Sequence, residues 1–181
     1  MKTICDPSAL RFRADALRLI RTWFWKRGYS EIDTPLASPC LIPESTIRAP
    51  IVTLTEYSGE RRLFALVPSP EIWMKRLLAA GSGNLFQISH CFRDSEPPTG
   101  LHQPEFTMLE WYSVQAGYLD SLLLQEQLIE YVRRRLHAAK EVHVRGCRIR
   151  LTPPFPRITV RDAFLKFAGI DLFELQETEA L

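Results

Sequence analysis

Apolar residues recur at helical spacing near the start of the chain. Leu10, Leu17, Ile20 and Phe24 predict a helix over 6–27, with Asp6-Pro7 as cap and first turn and Gly28 as the stop. Residues 29–34 alternate like a short strand closed by Pro35, and Pro35, Pro39, Pro43 and Pro50 then mark an extended, loop-like passage. Two β-like runs follow at 47–55 and 62–67, with a turn over 57–60. Ser69-Pro70-Glu71 has the look of a helix start, and that helix is predicted to carry 72–80 and stop at Gly81. Strands are predicted at 84–92 and 106–114. Beyond them lie an amphipathic helix over 119–139, a hairpin over 142–151 turning at Gly146, and a short helix over 160–168. The pattern predicts an α+β fold: a mixed, mainly antiparallel sheet flanked by helices.

Composition narrows the picture further. A chain of 181 residues, 46% hydrophobic and 24% charged, fits one ordinary globular domain. A net charge of +2 supplies no global field for nucleic acid, so any RNA contact has to be local. Cys5, Cys40, Cys91 and Cys147 are scattered without a C-x-x-C pair and read as reduced thiols. No apolar run reaches membrane-spanning length and no signal-peptide core opens the chain, so a cytoplasmic location without a membrane partner is expected.

The richest chemistry lies in FRDSEPPTGLHQPEFTMLEWY, residues 92–112. About a dozen polar, proline-containing residues join the two predicted strands, long for a hairpin loop and typical of functional loops. Arg93 ends one strand with a guanidinium suited to phosphate oxygens. His102 in the loop could meet a distal phosphate, and Phe106 offers a face to a purine ring. Glu110 and Tyr112, two apart on a strand, share one face and suit an ammonium ligand. Taken one at a time, Arg93, Glu105 and Glu110 read better as surface charges and Phe106 as core. As an ordered set they describe a nucleotide site beside an amino-group site.

The same stretch resembles motif 2 of the class II aminoacyl-tRNA synthetases, in the lysine–aspartate–asparagine subgroup. RGYSEIDTPL, about 27–36, resembles motif 1, which builds the dimer interface in that class. SPEIWMKRL (69–77) and LFQISHCFR (85–93) resemble the lysyl-type segment between them. The likeness is nearest to the stand-alone lysyl-tRNA synthetase paralogues that attach a lysine-like amino acid to elongation factor P. The resemblance implies ATP-dependent formation of an aminoacyl-adenylate and transfer to elongation factor P or, alternatively, tRNA. It implies Arg93 on the α-phosphate as the catalytic residue, Glu96 near the adenine amino group, His102 on the γ-phosphate and Phe106 on adenine. It also implies Ser69 and Glu71 on the substrate α-amino group, Glu110 and Tyr112 on the side-chain amine, and a homodimer.

Some features depart from the family pattern. The loop between Arg93 and His102 is one residue longer than in those relatives. It holds Pro97-Pro98, has Thr99-Gly100-Leu101 where they carry an arginine, and has Gln103 where asparagine is common. Motif 3, G-x-G-x-x-R, is absent; GSGNLF at 81–86 starts like it but lies too early and lacks the arginine. The family's Mg²⁺ ligands fall in that later part, so no metal ligand is expected in 1–181. The expectation is therefore a partial catalytic domain without an N-terminal anticodon-binding domain, roughly a hundred or more residues short of a whole one. A fragment of a lysyl-tRNA synthetase and a non-catalytic nucleotide-binding or dimerising remnant are the rival readings. His90, Cys91 and His102 match no zinc spacing, and a buried strand pair is the expectation for the first two. Arg133, Arg134 and Arg135 read as a solvated helix end, with an RNA or acidic-partner contact as the alternative.

Overall fold

A computed structural model describes residues 6–95 and 102–174. The chain divides into two compact units, Met1–Leu124 and Gln125–Leu181. The structure is mixed α+β with mainly antiparallel pairing, as the pattern predicts.

The first unit opens with α1 (Pro7–Trp25). Asp6 caps it by accepting the Ser8 backbone N–H at 2.8 Å, and Pro7 supplies a pre-set first turn. Leu19, Trp23 and Phe24 form its buried stripe. Gly28, with φ +76°, takes the left-handed turn that releases the chain into β1 (Ser30–Glu31). This strand is shorter than the alternation over 29–34 predicts. Its backbone pairs in parallel with β5 (Leu85–Phe92) through Ser30↔Leu85 and Glu31↔Phe86, and Ile32 adds one more bond to Phe86. Pro35, which has no N–H to donate, lies just beyond.

β5 pairs antiparallel with β6 (Glu105–Tyr112) along the full length of both strands, from Leu85↔Tyr112 to Phe92↔Glu105. The order of this sheet is β1-β5-β6. One of its faces carries the register partners Phe86 and Trp111. Phe24 of α1 packs there, stacked on Phe86 at 4.7 Å and tilted against Trp111 at 5.8 Å. Tyr29 closes edge-on against Phe24 at 5.0 Å. This aromatic cluster is the core behind the sheet, and it leaves the opposite face for chemistry.

A second sheet, in the order β2-β4-β3, is built from β2 (Ala37–Ser38), β3 (Ile51–Thr55) and β4 (Arg61–Leu66). β2 lies inside the proline-punctuated passage that the sequence reads as loop. The two sheets meet where Phe92 N–H donates to Val67 O at 3.0 Å and Asp94 N–H donates to Arg48 O at 2.7 Å. α2 (Glu71–Ala79) follows β4 after Pro68, Ser69 and Pro70.

The unit boundary falls within α3 (Tyr118–Arg135). In the second unit, β7 (Glu141–Val144) and β8 (Cys147–Arg150) form a hairpin through Arg145-Gly146, both at positive φ. α4 (Val160–Ala168) has the bounds that the sequence predicts, with Thr159 as N-cap and a left-handed Gly169 as C-cap. α3 ends earlier than predicted, because Ala138 N–H and the Arg133 guanidinium turn back on one another's carbonyls and His137 adopts φ +51°.

Candidate functional site

Antiparallel register decides which side chains share the sheet face opposite Phe24. Partners in a pair leave the same face, so Tyr112, Glu110, Met108 and Phe106 stand with Leu85, Gln87, Ser89 and Cys91. Polar residues in the middle of this face are unusual for a strand pair this buried: Gln87 and Ser89 are both among the buried polar residues.

Ser69 reaches the same face from the start of α2. Its hydroxyl donates to Glu110 Oε2 at 2.5 Å, and the Tyr112 hydroxyl donates to Glu110 Oε1 at 2.8 Å. The Ser69 oxygen also accepts the Glu71 backbone N–H at 3.1 Å. Ser69 therefore ties the first turn of α2 to Glu110, although the N-cap position itself belongs to Pro70. Glu110 is half-buried and has one hydroxyl on each oxygen. Burial, then the Glu110 hydrogen bond, then the charges of Glu110 and Glu71 push the Tyr112 phenol well above its ordinary pKa, so it stays a donor. Glu71 pairs with Lys75 one turn along α2, and its hydrogen bond and charge raise the Lys75 ammonium, helped by Glu110 and Glu44.

At the other end of the face, Arg93 leaves β5 with its guanidinium over the Phe106 ring, 5.3 Å from the centroid. Arg93 N–H donates to Pro104 O at 3.0 Å, closing the mouth of the hairpin. The Arg93 Nε is buried without a partner, and so is Gln87 Nε2. Buried donors of this kind call for an acceptor from a ligand or water. Cys91 is buried opposite Phe106, and desolvation raises its thiol despite the Ser89 hydrogen bond.

Of the residues singled out from the sequence, Ser69, Glu71, Glu110 and Tyr112 come together as one network, and Arg93 joins Phe106 as a second. His102 is exposed ahead of β6. Glu96 lies outside the described residues, as do Pro97, Pro98 and the rest of the lengthened loop through Leu101. Gln87 and its buried partner Thr34, whose hydroxyl donates to Gln87 Oε1 at 3.0 Å, escaped the sequence reading. The signal was present in the alternation of Gln87 and Ser89 with apolar neighbours. His90 is a correction: it points to solvent and bonds Glu105 at 2.9 Å, while Cys91 alone is buried. His90 shares the sheet face of Phe86 and Trp111, but it and its register partner Thr107 are both exposed, so the Phe24 cluster that buries that face does not cover them. Among the described residues no group of three or more His, Cys, Asp or Glu is placed to hold a metal ion, so this donor set does not fit a Mg²⁺ site by itself. No helix of the described residues is long and apolar enough to cross a membrane.

A basic helix end is present in the second unit. Arg133 forks onto Glu130 with two bonds of 2.8 Å, Arg134 pairs with the same carboxylate at 3.0 Å, and Arg135 lies over Tyr131. Two of the three charges are thus engaged within α3.

One face of the hairpin thus carries an arginine–aromatic pair at one end and a hydroxyl-braced carboxylate at the other. Residues 7–178 match the family of tRNA synthetases class II (D, K and N), and the chain belongs to that family. The lysine–tRNA ligase of Coxiella burnetii (strain RSA 493 / Nine Mile phase I) is 34% identical over 155 residues, covering 86% of this chain and 30% of the relative. The lysine–tRNA ligase of Campylobacter jejuni subsp. jejuni serotype O:2 is 32% identical over 169 residues, covering 93% and 33% respectively. The chain thus spans about a third of the length of these relatives.

Proposed function

We propose that this chain takes part in ATP-dependent activation of lysine or a lysine-like amino acid. In that reaction a carboxylate oxygen of the amino acid attacks the α-phosphorus of ATP, pyrophosphate leaves, and an aminoacyl-adenylate forms. An acceptor nucleophile then attacks the carbonyl carbon and AMP departs. The Ser69–Glu110–Tyr112 network is the observation that carries this reading. A carboxylate held by two neutral hydroxyls keeps its negative charge for an ammonium, and it pairs poorly with neutral side chains.

In this reading Glu110 and Tyr112 receive the side-chain amine, while Ser69 and Glu71 receive the α-amino group. Arg93 grips the α-phosphate and stabilises the charge that builds there, and its partnerless Nε supports an anionic ligand. Phe106 stacks on adenine, Glu96 meets the adenine amino group and His102 the γ-phosphate. Mg²⁺ would neutralise phosphate charge in such chemistry, with ligands contributed from outside the described residues. Residues 27–36 and 92–112 serve as motifs 1 and 2 of a partial catalytic domain, and a cytoplasmic homodimer is the assembly that goes with motif 1.

Elongation factor P is one proposed acceptor and tRNA the other; the likeness to lysine–tRNA ligases favours tRNA. The test is ATP–pyrophosphate exchange with lysine or β-lysine, followed by transfer to each acceptor. Exchange with neither amino acid, alongside measurable ATP binding, would instead favour a nucleotide-binding or dimerising remnant.

A further inference from the structure

Gln87 stands directly opposite Glu110 in the β5–β6 register, so the two side chains leave the same face of the sheet. It is 1% exposed, and its Oε1 accepts the hydroxyl of Thr34, which is itself buried. Its Nε2 is buried without a partner. A carboxamide fixed at one end and unmet at the other needs an acceptor. Glu110, its register partner, makes no hydrogen bond to it, so that donor is left for a ligand. A carboxylate offers about four lone-pair positions. Ser69 and Tyr112 take two of them. Two remain for an incoming ammonium.

We propose that Gln87 is a specificity-determining residue of the amino-acid site: tethered by Thr34, it holds an unmet amide donor beside Glu110 for an acceptor on the incoming amino acid, and its neutrality leaves Glu110 the single negative charge of that cross-strand pair. The inference rests on the reading of Glu110 as the partner of the substrate amine. The neutrality has a consequence that a merely structural glutamine would lack. Glutamate at the same position would set two carboxylates about 4.5–5.5 Å apart at their Cβ atoms. Such a pair holds one proton into the neutral range. The other titratable groups facing this position are Tyr112 and Cys91 from the sheet, Arg93 beyond β5, and Glu71 with Lys75 on α2. Glu44 also acts on Lys75.

The experiment is calorimetric titration of the full 181-residue chain with L-lysine between about pH 6 and pH 8.5, the range over which a shared carboxyl proton would leave. Wild type is compared with Glu110→Gln, Gln87→Met, Gln87→Glu, Thr34→Val and Thr34→Ser, each checked for folding by circular dichroism. Gln87→Met and Thr34→Val are expected to weaken binding about tenfold, with Thr34→Ser close to wild type. Gln87→Glu is expected to bind lysine more tightly as pH rises, while wild type stays flat. If Gln87→Met does not fold, the near-isosteric Gln87→Glu and the Thr34 pair carry the test. Loss of binding in Glu110→Gln together with wild-type affinity in Gln87→Met and Thr34→Val, and a flat profile in Gln87→Glu, would overturn the role of Gln87 and leave the Glu110 reading intact. Wild-type affinity in Glu110→Gln, or no lysine binding by the wild type, would overturn that reading and this inference with it.

Discussion

The Ser69 hydroxyl donates to Glu110 Oε2 at 2.5 Å, linking residues 41 apart at the point where a helix start meets a strand. The same oxygen accepts the Glu71 N–H, so one side chain serves both helix entry and the candidate amine site. Ser69→Ala removes both bonds. Stability is expected to fall by about 1–2 kcal/mol in urea denaturation. Lysine affinity is expected to fall about tenfold, while ATP affinity changes little.

Tyr112 makes alkaline stability a reporter of the same network. Its folded pKa is raised, chiefly by burial and then by Glu110, above the ordinary value of 10.0. Its contribution is therefore fully present below about pH 10 and is lost as pH climbs toward the folded value, since only the unfolded chain gives up the proton easily. Wild type should lose stability more steeply than Tyr112→Phe above pH 10, measured by denaturant titration at a series of pH values.

Phe24 is fully buried against Phe86, Trp111, Tyr29 and Trp23. Phe24→Ala should cost about 3–5 kcal/mol, because four aromatic neighbours cannot collapse into the space. Phe86 and Trp111 back the strands that hold the site. Lysine and ATP binding should thus be lost together at a lower urea concentration than in wild type.

Arg93 over Phe106 presents a planar fork, with a buried Nε still to be met. Arg93→Lys keeps the charge but loses the fork and the stacking, so ATP affinity should fall about tenfold or more in calorimetry. Lysine affinity should be largely unchanged, since the Glu110 network lies at the opposite end of the face.

Glu130 is held below its ordinary carboxylate pKa, first by the Arg133 hydrogen bonds and then by the charges of Arg133, Arg134 and Lys140. A depressed folded pKa contributes stability above the unfolded value, near 4.5, and loses it as pH falls through the folded value. Glu130→Gln should lower the melting temperature at neutral pH, with the gap to wild type closing under strong acid. Arg133→Gln should lower it more than Arg134→Gln, because Arg133 also donates to Ala138 O and its side chain is far less exposed.

Local signals made much of this fold legible. The caps of α1 and α4 are short-range chemistry: Asp6 answers Ser8, and Thr159 answers Asp162. Gly28, Gly146 and Gly169 mark where the backbone turns left-handed. Ser69, Glu71, Arg93, Phe106, Glu110 and Tyr112 were recognisable as an ordered motif, and the structure gathers them on one sheet face or at its edge. β2 was hidden, because two residues paired by backbone bonds to β4 leave no periodic trace. The exposure of His90 beside buried Cys91 was hidden for a related reason: which strand face is buried depends on what packs there.

The order of residues along the chain thus determined the elements, their punctuation and the inventory of chemical groups, since each follows from contacts only a few residues long. Tertiary structure alone decided that α1 covers the Phe86–Trp111 face and that Ser69 spans to Glu110. It also decided that Gln87 enters the candidate site with Thr34 behind it. Those relationships depend on strand register and on which face is left free. A one-residue slip of the β5–β6 pairing would break the Gln87–Glu110 register without changing a letter of the sequence.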